Sequence, residues 1–370
     1  MTQFPLALTF DDVLLVPGKG EKFEPKKGEV SSYVTKKIKL EQPIIATGMP
    51  TVCESEMAIA VAKLGGVGII HPFLSYEDYA LEIEKVKRKK LLVGGAVADG
   101  DIKRAIAAYK ANADFIAIDA GKGYTKTSLA FIREVKSKFP KLQIMSGFFV
   151  TAEGTEAAIK NGADAVRVGI GPGSHCTTRV VAGAGYPQLT AIVNCAKATN
   201  KYKIPLIATG GIRNPGDVTK AVAAGALAVE IGGLFAGTDE SPGEIVTIDG
   251  KSYKETWGYS TQKADKMADI RYMSKDITVQ IKQLIKRLAG ISNREDKETP
   301  SYKIIEGVEE ARVAYKGSVE EVFKSLSEGL KLGMAYCGVE TISELQKKAK
   351  FIRITQAGII EGFPHGVIAQ

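Results

Sequence analysis

Three features predict an α/β chain closed into a (β/α)8 barrel: eight short apolar runs, amphipathic stretches between them, and glycines where the runs end. The runs are residues 44–47, 67–71, 91–97, 115–119, 143–149, 165–170, 205–209 and 228–232. Each is apolar without alternation, as a strand buried on both faces must be. The stretches between them have the period and length of covering helices. Eight such units exceed what an open doubly wound sheet usually carries, and 370 residues, 45% hydrophobic, suffice to bury a core of that size.

Taken in order, the chain opens with an N-terminal extension over 1–42, apolar through LTFDDVLLVP and then rich in Lys, Glu and Gly, which predicts a surface passage of hairpin or loop. Ser55, Ser75, Asp101 and Thr151 stand before the helical stretches EMAIAVAKLGG, YEDYALEIEKVKRKK, IKRAIAAYKANA and AEGTEAAIKNGA as N-caps, and Gly or Asn closes most of them. After the eighth run the rhythm stops, and about eighty residues precede the next helix at 319–332, a connection long enough to be functional. Within it, Ile277, Ile281, Leu284, Ile285 and Leu288 predict a helix over 276–288, and 292–302 is polar. A flap over 259–315 covering the barrel mouth is the natural reading, within one barrel domain spanning 1–370.

The charge of +8 is scattered, with no long basic tract, which disfavours nucleic acid as a partner and suits phosphorylated small molecules. Four cysteines stand far apart without CxxC spacing, and neither a secretory signal nor a membrane-length apolar segment accompanies them. The expectation is a cytoplasmic protein with free thiols and no membrane partner. His71, His175 and His365 are too separated for a zinc site.

Chemistry should lie where the strands end. The stretch AVRVGIGPGSHCTTRVVAGAGYPQ, 165–188, passes from a strand through Gly169, Gly171 and Gly173 into Ser174, His175, Cys176, Thr177, Thr178 and Arg179. A cysteine in a glycine-rich strand-end turn is a candidate nucleophile, with Arg179 and the local amides placed to favour its thiolate. Ser174 and the amides near Gly173 suit a phosphate cradle. So do the pairs Gly210–Gly211 and Gly232–Gly233 after the seventh and eighth strands, where amides converge on one set of oxygens. Asp119 ends the fourth strand before AGKGYT and could meet a ribose or a cofactor amide. His71 and His175 are acid–base candidates without a carboxylate partner visible in the sequence.

The chain resembles the IMP dehydrogenase and GMP reductase family nearly end to end, through LTFDDVLLVP, GGVGIIH, GADAVRVGIGPGSHCTTR, GAGYPQLTAI, GGIRNPGDVTKAVAAGA, GGLFAGTDESPGE, YKGSVEEV and YCGVETISELQKKAKFIRIT. The resemblance implies a TIM barrel, usually a homotetramer, in which Cys176 attacks purine C2 of IMP or a close analogue and a nicotinamide cofactor exchanges hydride there. Thr178 would assist, and Arg294 falls at the flap arginine that activates water. Ser174, Gly211, Gly232 and Gly233 would hold phosphate. Thr47, Thr209, Tyr259 and Ser260 would line the nucleotide pocket, with Arg167 supporting it. Asp119, Ala120 and Phe148 would meet the cofactor, NAD for a dehydrogenase or NADPH for a reductase. Carbonyls of Gly171, Gly173 and Cys176 would bind K+.

The CBS modules of typical dehydrogenases are absent, since EKVKRKK runs straight into LLVGGAV. Other departures fall in the pocket. Thr209 and Pro50 replace aspartates, Phe148 an asparagine and Thr256 a tyrosine, and 258–261 read G-Y-S-T for G-M-G-S. Glu295 replaces the tyrosine beside the flap arginine, and Gln262 the glutamate of reductases. The leading expectation is an NAD-dependent dehydrogenase. The alternatives are a GMP reductase and a divergent paralogue that mainly binds nucleotide.

Overall fold

The computed structural model describes residues 4–20, 22–119, 124–264, 266 and 305–364. Eight parallel strands close a barrel: β1 (Ile44–Ala46), β2 (Val67–Ile70), β3 (Val93–Ala98), β4 (Phe115–Asp119), β5 (Gln143–Phe149), β6 (Ala165–Val168), β7 (Leu206–Thr209) and β8 (Ala228–Ile231). The (β/α)8 reading therefore holds. Closure is made by β8 on β1, with Val229, Glu230 and Ile231 opposite Ile44, Ile45 and Ala46. Ile45, Val67, Ile69, Phe115, Met145 and Ile207 belong to the core inside the barrel, while a second apolar layer lies between strands and helices. Gly94 on β3 has no side chain because the Phe115 ring occupies that space.

The covering helices are α1 (Ser55–Lys63), α2 (Tyr76–Arg88), α3 (Ile102–Lys110), α4 (Lys126–Lys138), α5 (Ala152–Lys160), the short α6 (Thr178–Val181), α7 (Gln188–Tyr202) and α8 (Pro215–Ala223). Ser75, Asp101 and Thr151 cap α2, α3 and α5, accepting from the amides of Asp78, Arg104 and Gly154. Ser55 does not cap α1. It is the first helical residue, after Glu54, and its amide donates to Glu82 Oε2 at 2.7 Å, so a carboxylate from α2 satisfies the helix start. Residues 89–92 alone connect α2 to β3, leaving no inserted module there.

After β8 the chain builds an antiparallel sheet that the sequence reading did not anticipate: β9 (Ile245–Ile248), β10 (Lys251–Thr256) and β11 (Ala311–Ala314). The helix expected over 276–288 and the polar passage 292–302 lie outside the described residues. Helix α9 (Val319–Tyr336) then packs on α8, and α10 (Ile342–Lys348) follows. The two ends of the chain meet where the strand Val13–Leu15 pairs antiparallel with Phe351–Arg353. Among the described residues no helix is long and apolar enough to cross a membrane.

Candidate active site

Loops after β6, β7 and β8 meet at the barrel mouth. The β6 loop can turn tightly because Gly169 and Gly171 have φ of 144° and 89°, and a Cβ at Gly171 would overlap the Arg179 side chain. The loop presents Cys176 to solvent, whereas Cys53, Cys195 and Cys337 are buried. The Cys176 thiol donates to Thr178 Oγ1 at 3.2 Å, and Thr178 Oγ1 donates to Glu306 Oε2 at 2.9 Å. A continuous hydrogen-bonded path thus joins sulfur to carboxylate.

That path is held by backbone pairing across three segments. The amide of Thr177 donates to the Glu306 carbonyl at 3.0 Å, and Val308 donates to the His175 carbonyl at 3.0 Å. Gly258 in turn donates to Val308 at 2.8 Å, and Glu306 to the Ser260 carbonyl at 3.3 Å. Gly258 and Gly307 lie so close that a Cβ on Gly258 would sit 2.9 Å from the Gly307 Cα. Residues 258–260 and 306–308 are therefore paired with one another and with the cysteine loop. Arg179 donates to the carbonyls of Ile170 and Tyr186, so its guanidinium shapes this loop.

The glycine loops contact one another. A Cβ on Gly233 would fall 2.6 Å from Ser174 Oγ, and one on Gly210 would fall 3.0 Å from the Gly173 amide nitrogen. Gly211, at φ 83°, is bordered by Pro172, Phe10 and Gln188. Gln188 Nε2 ties β6 to β7 by donating to the carbonyls of Val168 (2.8 Å) and Thr209 (3.1 Å). The loops that carry Ser174, Gly211, Gly232 and Gly233 are thus brought together as a glycine cradle at the barrel mouth. Ser174 Oγ also lies 3.0 Å from His175 Nδ1, and burial of the His175 ring pushes its pKa down.

Beside the cradle lies a buried polar network. Arg167 on β6 pairs with Asp119 at the end of β4, donates to the Ile118 carbonyl at 2.8 Å, and stands 3.6 Å from Glu230 on β8. Glu230 accepts from Thr47 Oγ1 at 2.6 Å and from Thr209 Oγ1 at 2.9 Å. Phe148 stacks on the Arg167 guanidinium at 4.5 Å, and Tyr259 meets Phe73 edge to face at 4.7 Å. The Tyr259 phenol faces the Asp119 carboxylate. Its pKa is raised well above the ordinary value, first by burial and then by that carboxylate.

Two residues of this site escaped the sequence reading. Glu230 is the one charge within the apolar run AVEIGG, and Glu306 opens the acidic stretch EGVEE inside the long connection after the eighth run. His71 does have a carboxylate partner: its Nε2 lies 3.0 Å from Glu54 Oε1, while Nδ1 accepts from the Phe73 amide at 3.2 Å. Thr256 is buried, its hydroxyl 3.0 Å from that of Thr51. Ala120, Arg294, Glu295 and His365 lie outside the described residues. Among the described residues no three His, Cys, Asp or Glu side chains gather as a metal site.

Comparison with known proteins agrees with this geometry. Residues 7–365 match the IMP dehydrogenase / GMP reductase domain. The inosine-5'-monophosphate dehydrogenase of Borreliella burgdorferi is 38% identical, covering 98% of this chain and 98% of its own length. That of Cryptosporidium parvum is 36% identical over 97% and 95%. That of Aquifex aeolicus is 34% identical over 97% and 95%. The last alignment extends over 490 positions against 370 residues here, as an insertion in the relative requires. A match of this extent, on a closed eight-stranded barrel with its cysteine loop against paired glycine turns, means that the chain belongs to the IMP dehydrogenase and GMP reductase family of purine-metabolising oxidoreductases.

Proposed function

We propose that this oxidoreductase is of the dehydrogenase type, oxidising purine C2 of IMP or a close analogue through a covalent Cys176 adduct, with NAD as hydride acceptor. The observation that carries the reading is the path from Cys176 through Thr178 to Glu306 beside the glycine cradle. The thiol proton has a route toward a carboxylate, and the thiolate so formed adds to C2. When bound, NAD supplies the acceptor for the hydride that leaves C2. The remaining adduct is a thioimidate. Water adds to its C2 and gives up a proton, and the carbon–sulfur bond breaks to release the Cys176 thiolate and the oxidised base. With the thiol proton already passed from Glu306 to solvent, Thr178 and Glu306 would take this second proton by the same path, and the dehydrogenase relatives named above favour hydrolysis over the reductase direction.

Ser174, Gly211, Gly232 and Gly233 hold the substrate phosphate in this reading. Thr47, Thr209, Tyr259, Ser260 and Arg167 shape the rest of the pocket. The residues present fit the cofactor in part: Phe148 is half-buried at the mouth and offers ring surface to a planar group, whereas the Asp119 carboxylate is already engaged by Arg167. Asp119 would therefore act by fixing the wall, beside Ala120. Carbonyls of the Gly171–Cys176 turn are offered as the K+ site, supported by the left-handed Gly171 that turns the backbone there. Arg294 remains the proposed flap arginine. A cytoplasmic homotetramer is proposed on the unpaired thiols and on Leu14 and Ile352, adjacent and exposed where the chain ends pair. Sedimentation equilibrium at the monomer mass would remove the tetramer.

The test is turnover with IMP and NAD, then with GMP and NADPH, followed by absorbance of the reduced cofactor in potassium and in tetramethylammonium buffers. Reduction of NAD with IMP is expected, faster in potassium. Activity only with GMP and NADPH would reverse the direction, no activity with either pair would favour the nucleotide-binding paralogue, and equal rates in both buffers would remove the cation. Cys176→Ala is expected to abolish the adduct seen by intact-protein mass spectrometry. An adduct persisting in that variant would overturn the nucleophile.

A further inference from the structure

We infer that Glu230 is a specificity-determining positioning residue, which fixes Thr47 and Thr209 as hydrogen-bond acceptors that read the sugar hydroxyls of the substrate. The inference rests on the nucleotide reading above. Glu230 is buried on β8 with both carboxylate oxygens occupied, Oε1 by the Thr47 hydroxyl at 2.6 Å and Oε2 by the Thr209 hydroxyl at 2.9 Å. A threonine hydroxyl has one proton to donate. Both protons point at Glu230, so these side chains can only accept from whatever enters the mouth.

The acceptors adjoin the cradle. A Cβ on Gly232 would fall 3.3 Å from the Thr47 Cγ2, and Thr209 directly precedes Gly210 and Gly211. Both threonines are half-buried at strand ends, while the Glu230 side chain has no exposure at all. The group next to phosphate in a nucleotide is the sugar, whose hydroxyls are donors. Charge points the same way. Asp119 and Glu230 both face the Arg167 guanidinium, two carboxylates to one cation in this cluster, which suits hydrogen-bond donors beside the two threonines. Nothing in a carboxylate buried this way touches ligand, so its influence passes through the two hydroxyls.

The experiment titrates the full-length protein, wild type and variants, with IMP, 2'-deoxy-IMP and 3'-deoxy-IMP by calorimetry. Wild type is expected to bind at least one deoxy analogue about three- to tenfold more weakly than IMP, the loss that one neutral hydrogen bond carries. In Glu230→Gln the carboxamide must donate to one threonine, turning that hydroxyl toward the mouth as a donor. Discrimination should then collapse toward unity, with IMP weakened and the deoxy analogues nearly unchanged. Thr209→Val and Thr47→Val, tested singly, should lower discrimination likewise if Glu230→Gln fails to fold, and Thr209→Ser should restore it. Equal wild-type affinity for all three nucleotides, or uniform weakening of all three by Glu230→Gln, would overturn the assignment.

Turnover is measured separately: binding with discrimination but without hydride transfer would sink the dehydrogenase reading and leave this one standing. If no purine nucleotide binds wild type, ribose 5-phosphate against 2-deoxyribose 5-phosphate replaces them. Equal or absent binding of that pair would then overturn the inference.

Discussion

Cys176 is exposed and hydrogen-bonded to a neighbour that leads to a carboxylate, whereas burial pushes the thiols of Cys195, up to about 11, and Cys53 upward. Position in the fold, not residue type, separates the one reactive candidate from three structural thiols. Glu306→Gln keeps the shape of the Thr178 contact but removes the base. Adduct formation and hydrolysis, which both hand a proton to Glu306 in this reading, should slow together, lowering the steady-state rate by about a hundredfold or more. An unchanged steady-state rate would remove Glu306 from the chemistry. His175, next in the chain, makes a prediction about pH. Burial places its folded pKa below the ordinary value of 6.5, so the unfolded chain binds the proton more readily. Its contribution is constant above that value and turns destabilising as the pH falls through it. Melting temperature should therefore decline below about pH 6.5 more steeply in wild type than in His175→Gln, and parallel profiles would refute this.

At the scale of elements, the caps show how far local chemistry reaches. Ser75, Asp101 and Thr151 each close a helix start through a bond three residues along, which the sequence pattern foretells. Ser75→Ala should cost about 1 kcal/mol in denaturant unfolding, and a change near zero would mean that water replaces the cap. Ser55 looked alike in sequence but differs in space, because Glu82 comes across from α2 to its amide. The sheet of β9, β10 and β11 escaped for a related reason. The two-residue turn Asp249–Gly250 joins β9 to β10, but the strands are short and largely exposed and more than fifty residues separate β10 from β11, so apolar periodicity does not mark the sheet.

For the whole molecule, the barrel is held by strands that must pack inside as well as out. Gly94→Ala would drive a methyl group into the Phe115 ring within the barrel, and is expected to destabilise by about 1–3 kcal/mol without altering the cysteine loop at the other end of the strands. A melting temperature equal to wild type would show that the ring can give way. The eight apolar runs were sufficient to predict this closure because parallel strands buried on both faces leave a distinct trace in composition. The glycine turns and Cys176 were legible too, since positive φ and a strand-end thiol are written in residue type and spacing. Glu230, Glu306 and Glu54 could not be assigned roles that way. Their partners lie 183, 128 and 17 residues away, and a carboxylate's job depends on what the fold brings within hydrogen-bonding reach. Sequence alone thus determined the barrel, the family and the glycine-rich cysteine loop, which rest on local pattern. Only the tertiary structure decided which charges face each other at the mouth, because electrostatics acts through space and not along the chain.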